Sequence, residues 1–128
     1  LINFTKVSKD ASIVIISSIW QELSKKNKLS YTISKSALKS LVNSLIADLS
    51  YQNIRVNAVL PGPIDTPMTH ANLSKSELKK VISDSPYKKL ANVNDVANTV
   101  SWLISSQSNG VTGNFIKLDE GTSSVKTY

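Results

Sequence analysis

Ser18, Tyr31 and Lys35 follow one another at spacings of thirteen and four, directly after the run Ser12-Ile13-Val14-Ile15-Ile16-Ser17-Ser18. A short β-branched run ending in two hydroxyls reads as a buried parallel strand over residues 12–17. Tyr31-Thr32-Ile33-Ser34-Lys35 then opens a helix. Residues four apart share a helix face, so the phenol and the ammonium can point into one cleft. A phenol titrates near pH ~10 in water. A cation held beside a phenol favours its charged form, which makes such a pair a usable acid/base near neutrality. With the Ser18 hydroxyl bonded to the substrate oxygen, the set could take a proton from an alcohol while a neighbouring cofactor takes the hydride.

A lone Tyr-x-x-x-Lys is a weak signal, since any helix can carry one. The strand, the Ser-Ser pair and the spacing make it more specific. At these residues the chain resembles the short-chain dehydrogenase/reductase family, in which a serine and, thirteen positions later, a Tyr-x-x-x-Lys form the catalytic core. Further stretches match in the same order. Residues 54–68, Ile-Arg-Val-Asn-Ala-Val-Leu-Pro-Gly-Pro-Ile-Asp-Thr-Pro-Met, are similar to the family's sixth strand and its Pro-Gly cofactor loop. Asn94-Asp95-Val96-Ala97 resembles the start of its last long helix, and residues 112–121 its last strand, bounded by Thr-Gly and Asp-x-Gly.

The resemblance implies an oxidoreductase that interconverts alcohol and carbonyl groups with NAD or NADP. It makes Tyr31 the acid/base, Lys35 its activator and a ribose ligand, and Ser18 the donor to the substrate oxygen. Pro61, Gly62, Ile64 (through its backbone) and Thr66 would border the cofactor. Trp20 and Met68 would border a small-molecule alcohol or carbonyl substrate, with Gln21 beside Trp20, and residues 68–87 would form the substrate lid. Homo-oligomers are common in the family. Several positions depart from its pattern. Trp20-Gln21 replaces small residues, Lys88 stands where glycine is frequent, Val93-Asn94 replaces Pro-Glu, and Glu120 replaces the first of two glycines.

Each of these residues has a plainer reading. Tyr31 could be an ordinary helix-start tyrosine, Lys35 a surface lysine, Ser18 a strand terminator, Pro61-Gly62 a common turn, and Trp20 and Gln21 could equally be core or surface packing. His70 reads as an exposed loop residue. The four glycines form no Gly-x-Gly-x-x-Gly. The expectation is therefore a single partial domain over 1–128, the C-terminal half of a Rossmann-type doubly wound parallel α/β sheet. It would have three strands, two main helices and a short lid helix, and would be inactive by itself. The alternative is a non-catalytic oligomerisation or interaction module derived from the same family.

Composition narrows the remaining classes. The 128 residues are 41% hydrophobic, enough for a core, and contain no cysteine, which removes disulfides and thiolate chemistry. One histidine cannot build a histidine metal cluster, so no metal site is expected. No apolar run approaches the ~20 residues that span a bilayer, and no signal peptide is evident; a cytoplasmic location is the default. The net charge of +6 raises nucleic-acid binding. The lysines are scattered and not interleaved with aromatics, so solvated surface is the better reading.

Along the chain, residues 1–8 read as the tail of a helix and Ile19–Ser30 as a lysine-rich loop. Residues 31–51 form an amphipathic helix with Leu38, Leu41, Val42, Leu45, Ile46 and Leu49 on its apolar side. Ile54–Val59 reads as a strand. Ser74-Lys75-Ser76-Glu77 is a capping box that starts a short helix to about Asp84, with Leu73 and Leu78 placed as a hydrophobic staple. Val96, Ala97, Val100, Leu103 and Ile104 mark another helix, Asn114–Leu118 a third strand, and residues 122–128 a polar tail.

Overall fold

A computed structural model describes residues 7–125 of the chain. Its elements, in order, are β1 (Ser12–Ile16), α1 (Leu29–Leu49), β2 (Arg55–Pro61), α2 (Pro67–Asn72), α3 (Lys75–Asp84), α4 (Val93–Ile104) and β3 (Phe115–Leu118). Short 3-10 turns occupy Ile19–Gln21, Ser50–Gln52 and Ser106–Ser108. The strands form one parallel sheet in the order β1-β2-β3, with Ser12 opposite Arg55 and Ala58 opposite Phe115. This is the expected strand-helix-strand-helix-strand arrangement of a Rossmann-type sheet.

The central strand explains the layering. Val56 to Pro61 are all buried, as a parallel strand covered on both faces must be. Val56, Ala58 and Leu60 alternate onto one face, where they pack with Val42, Leu45 and Leu49 of α1 and with Ile19. Each such side chain contributes about 1.5–3 kcal/mol by leaving water. Asn57 and Val59 point to the opposite face, and α4 packs on β1 and β2 with Leu103 fully buried. Asn57 is buried without cost in lost hydrogen bonds: its amide donates to the Val111 carbonyl (2.8 Å) and its oxygen accepts from the Asn114 N–H (3.0 Å).

Arg55 closes the end of α4. Its guanidinium donates to the carbonyls of Leu103 (2.9 Å), Ser105 (3.1 Å) and Val111 (3.4 Å) and to the Ser108 hydroxyl (3.0 Å). The last carbonyls of a helix have no partner within it, and a cation also suits the negative end of its dipole.

The structure refines several sequence expectations. The long helix begins at Leu29, two residues before Tyr31, and passes into a 3-10 turn at Ser50. β2 continues to Pro61, because a proline at a strand end still accepts through its carbonyl. The expected loop after Ser18 contains the 3-10 turn Ile19–Gln21. α2 was not foreseen; Thr66 caps it and Pro67 stands in its first turn, a favourable start for a helix too short to show periodicity. The capping box of α3 is present as read, with the Ser74 N–H donating to Glu77 Oε2 (2.8 Å) and the Glu77 N–H to Ser74 Oγ (3.3 Å). The helix tail expected over residues 1–8 and the end of the polar tail lie largely outside the described residues. Among those residues no helix is long and apolar enough to cross a membrane.

Two departures from the family pattern now have a physical meaning. Lys88 and Glu120 both adopt φ 54°, followed at Gly121 by φ 75°. These are left-handed positions that glycine enters freely and that cost another residue roughly 1–2 kcal/mol. Lys88 offsets part of that cost by donating its ammonium to the Ser83 carbonyl (2.6 Å), and Glu120 by pairing with Lys89 (3.2 Å).

Candidate active site

The site residues gather where β1 and β2 end, the edge at which open α/β sheets bind ligands. Past Ile16 the Ser17 N–H still donates to the Val59 carbonyl (2.8 Å), which carries the pairing to the threshold of the turn. Ser18 is buried, extended at φ −165° and ψ 158°, and caps the 3-10 turn by accepting from the Trp20 N–H at 3.4 Å. Its hydroxyl donates across to the Pro61 carbonyl, also at a long 3.4 Å. Both bonds are at the weak end of the range, so a better acceptor in the cleft can replace them at small cost.

Tyr31 is the third residue of α1 and is 42% exposed; Lys35 stands one turn further on. The Lys35 ammonium lies 5.8 Å from the centre of the Tyr31 ring and donates to the Ile16 carbonyl at 3.4 Å. The helix thus brings Lys35 to the last residue of β1 and Tyr31 to Lys35. Among the described residues no hydrogen bond joins the Ser18 and Tyr31 hydroxyls. Sequence reasoning missed Lys28, which it read as solvated surface. The Lys28 ammonium also lies 5.8 Å from the Tyr31 ring centre, so two cations stand at the same distance from the ring. The signal was available: Lys28 precedes Tyr31 by three residues, a spacing that brings side chains together at a helix start.

On β2, Pro61 leads into Gly62, whose N–H donates to the Leu118 carbonyl (2.9 Å) and binds the turn to the end of β3. Ile64 forms an isolated parallel bridge with Ala91. That bridge is made by its neighbours, the Pro63 carbonyl accepting from the Ala91 N–H (3.0 Å) and the Asp65 N–H donating to the Ala91 carbonyl (3.0 Å). Extended backbone alternates direction, so the N–H and carbonyl of Ile64 itself point away from Ala91. The Thr66 hydroxyl is committed to α2, accepting from the Thr69 N–H at 3.2 Å.

A cleft of about 380 Å³ opens between α3 and the 3-10 turn that follows Ser18; Ser18, Tyr31 and Lys35 are not among its lining residues. Its apolar lining is Ile19, Trp20, Leu23, Pro63, Leu73 and Val81. Trp20 thus lines this cleft. Gln21 does not: it is buried, its Oε1 accepting from the Ser17 hydroxyl (2.9 Å) and its carbonyl from the Ser36 hydroxyl (3.2 Å). It straps the serine-bearing turn to α1, a role its position alone did not reveal. Met68, on α2, is 73% exposed and does not line the cleft. His70 is in the last turn of α2, paired with Asp65 at 2.6 Å. Among the described residues no three carboxylate or histidine groups are placed to hold a metal ion.

Residues 4–123 match the family described as enoyl-(acyl carrier protein) reductase. The 3-oxoacyl-[acyl-carrier-protein] reductase FabG of Buchnera aphidicola subsp. Baizongia pistaciae is 32% identical over 114 residues, covering 89% of this chain and 46% of that protein. L-xylulose reductase of Caenorhabditis elegans is 37% identical over 122 residues, covering 94% of this chain and 49% of that one. A solved short chain dehydrogenase family protein from Francisella tularensis subsp. tularensis SCHU S4 superposes with a TM-score of 0.84 at 30% identity, covering 92% of this chain and 53% of that one. The chain spans about half the length of the curated relatives it matches.

Proposed function

The chain belongs to the short-chain dehydrogenase/reductase family, and we propose that it supplies the proton-transfer centre of an NAD(P)-dependent oxidoreductase that interconverts alcohol and carbonyl groups. One observation carries the reading: the Ser18 hydroxyl and the Lys35 ammonium are anchored to the ends of adjacent parallel strands, and the Tyr31 ring lies beside that ammonium. Ser18 is tied to Pro61 and Lys35 to Ile16.

The residues present fit the nicotinamide half of such a cofactor. Lys35 is a donor at the sheet edge, and the Ile64 backbone faces away from its bridge partner, free to meet a carboxamide. Thr66 fits less well, because its hydroxyl already caps α2. A bound nicotinamide supplies the hydride acceptor or donor. In the oxidation direction Ser18 turns its hydroxyl from Pro61 to the substrate oxygen and holds it. Tyr31 takes the hydroxyl proton as the carbon loses its hydride, and returns it in reduction. Lys35 supplies the positive charge beside the phenol, and Lys28 adds to it. Holding both reactants in contact geometry provides much of the acceleration.

The isolated chain is inactive on this reading, because no glycine-rich turn is present to hold a pyrophosphate. The test is calorimetric titration with NADH and NADPH alongside kinetics of the assembled oxidoreductase carrying Tyr31→Phe. The expected result is a fall in kcat of about 10²–10⁴-fold with cofactor affinity unchanged. Activity within threefold of the parent would remove Tyr31 from the mechanism.

A second reading, an oligomerisation or interaction module, draws on Leu29 and Ile33. They lie one turn apart on α1 and are 76% and 60% exposed. On the enzyme reading the same apolar surface serves a homo-oligomer. Self-association with no response to either nucleotide, even in the assembled protein, would favour the module.

A further inference from the structure

We infer that the cleft at the turn after Ser18 selects a carbonyl compound with an apolar, unhydroxylated body; the inference rests on the oxidoreductase reading above. Family membership does not decide this point, since one relative is named for an acyl substrate and another for a sugar. The walls of this chain do.

Ile19 and Trp20 directly follow Ser18, and Pro63 directly follows Gly62, so a carbonyl held by Ser18 places its substituent among these side chains. The polar groups in the lining are Lys25, Lys80, Glu77, Asp84 and Thr122. They offer few free acceptors, chiefly Glu77 Oε1 and the Thr122 hydroxyl. Glu77 Oε2 already accepts from the Ser74 N–H (2.8 Å) and hydroxyl (2.7 Å), and Lys25 lies close enough to favour its negative charge. Asp84 is also engaged. Lysine ammonium groups donate and cannot accept. Thr122 is the one hydroxyl among the described residues of the lining. A polyhydroxylated substrate would bring more O–H donors than Glu77 Oε1 and Thr122 can receive, and donors desolvated without partners oppose binding. An apolar body loses nothing there and gains by leaving water. The volume of about 380 Å³ is near the small end of ligand pockets, roughly 300–1,000 Å³. That points to a medium-chain aliphatic or single-ring ketone.

Trp20 provides a readout independent of turnover. Trp102→Phe leaves it the single tryptophan of this chain, and its quenching by acrylamide is followed while 2-octanone or D-fructose is added. Saturable protection by 2-octanone, at least tenfold stronger than by fructose and weakened about threefold or more by the isosteric Val81→Thr, is the expected result. Equal or stronger protection by fructose would overturn the inference, as would protection by neither compound. NADPH oxidation by the assembled protein then separates the two levels. Turnover of fructose above 2-octanone defeats the substrate class alone. Protection by 2-octanone without turnover of any carbonyl defeats the oxidoreductase reading and leaves an apolar binding cleft.

Discussion

Gly62→Ala tests how the edge of the sheet holds the site. A Cβ built at Gly62 lies 2.7 Å from the Asp119 Cβ and 2.9 Å from the Asp119 Cα. Gly62 is not in the left-handed region, so its backbone angles tolerate alanine; space is the whole objection. The obstructing atoms belong to or adjoin the backbone and cannot swing aside as a side-chain tip would. Relief requires the end of β2 to part from the end of β3, which lengthens the 2.9 Å bond from the Gly62 N–H to Leu118. Overpacking costs about 1–3 kcal/mol, and a lost hydrogen bond about 1 kcal/mol more. Alanine returns about 0.4–1 kcal/mol by restricting the unfolded chain. The net loss is roughly 1–3.5 kcal/mol. With a urea dependence of ~2 kcal/mol per molar, the unfolding midpoint falls by about 0.5–1.8 M. Gly110→Ala is the control, because a Cβ there meets nothing within 4 Å. It is expected to be neutral or slightly stabilising. Equal midpoints for the two variants would refute the close-approach argument. Cofactor affinity of the assembled protein should fall with the first variant alone, since the same displacement moves Ile64.

Arg55→Met keeps the stem and removes the guanidinium from its four acceptors. Stranded carbonyls at the end of α4 should cost about 2–4 kcal/mol; hydrogen exchange across residues 103–113 should accelerate, and unchanged protection would contradict the role. Glu77 gives a pH prediction. The Ser74 hydroxyl and N–H hold its carboxyl below the usual glutamate range. A depressed value means that the cap contributes fully above the ordinary glutamate pKa and is lost as pH falls through the lowered one. Side-chain NMR should place the Glu77 midpoint below that of an unstructured glutamate, moving up to it in Ser74→Ala.

Much of this was legible because it depends on local pattern. The β-branched run before Ser18 and the 3.6-residue spacing of Val42, Leu45 and Leu49 fixed β1 and α1 to within two residues. Ser74 and Glu77 announced α3 through a pairing four residues long. The Tyr31–Lys35 pairing was likewise readable from helix geometry. What sequence did not show depends on contacts made at a distance. Gln21 looked like a pocket residue until its partners, Ser17 and Ser36, drew it inward. The Lys88 and Glu120 departures had no structural reason until the chain path showed a left-handed turn at each. Arg55 carried no signal of its role, because its four acceptors lie some fifty residues away. Met68 was placed by resemblance at the start of a substrate lid, and α2, which the sequence did not show, leaves it exposed.

The parallel order of the three strands sets when the site can exist during folding. Each ladder joins residues separated by two-score positions or more, so neither can zip from a hairpin. The Ser18 hydroxyl reaches an acceptor 43 positions away in sequence. The central strand has to be seated before that acceptor is in place, and seating it requires both flanking helices. Local helix formation can bring Lys35 beside Tyr31 within microseconds, whereas non-local strand pairing belongs to slower times. The phenol and ammonium are thus neighbours well before the serine joins them. The arrangement of Ser18 with Tyr31 and Lys35 should be complete only with the last cooperative step of folding and be lost with the first step of unfolding, with no partly folded species that retains it.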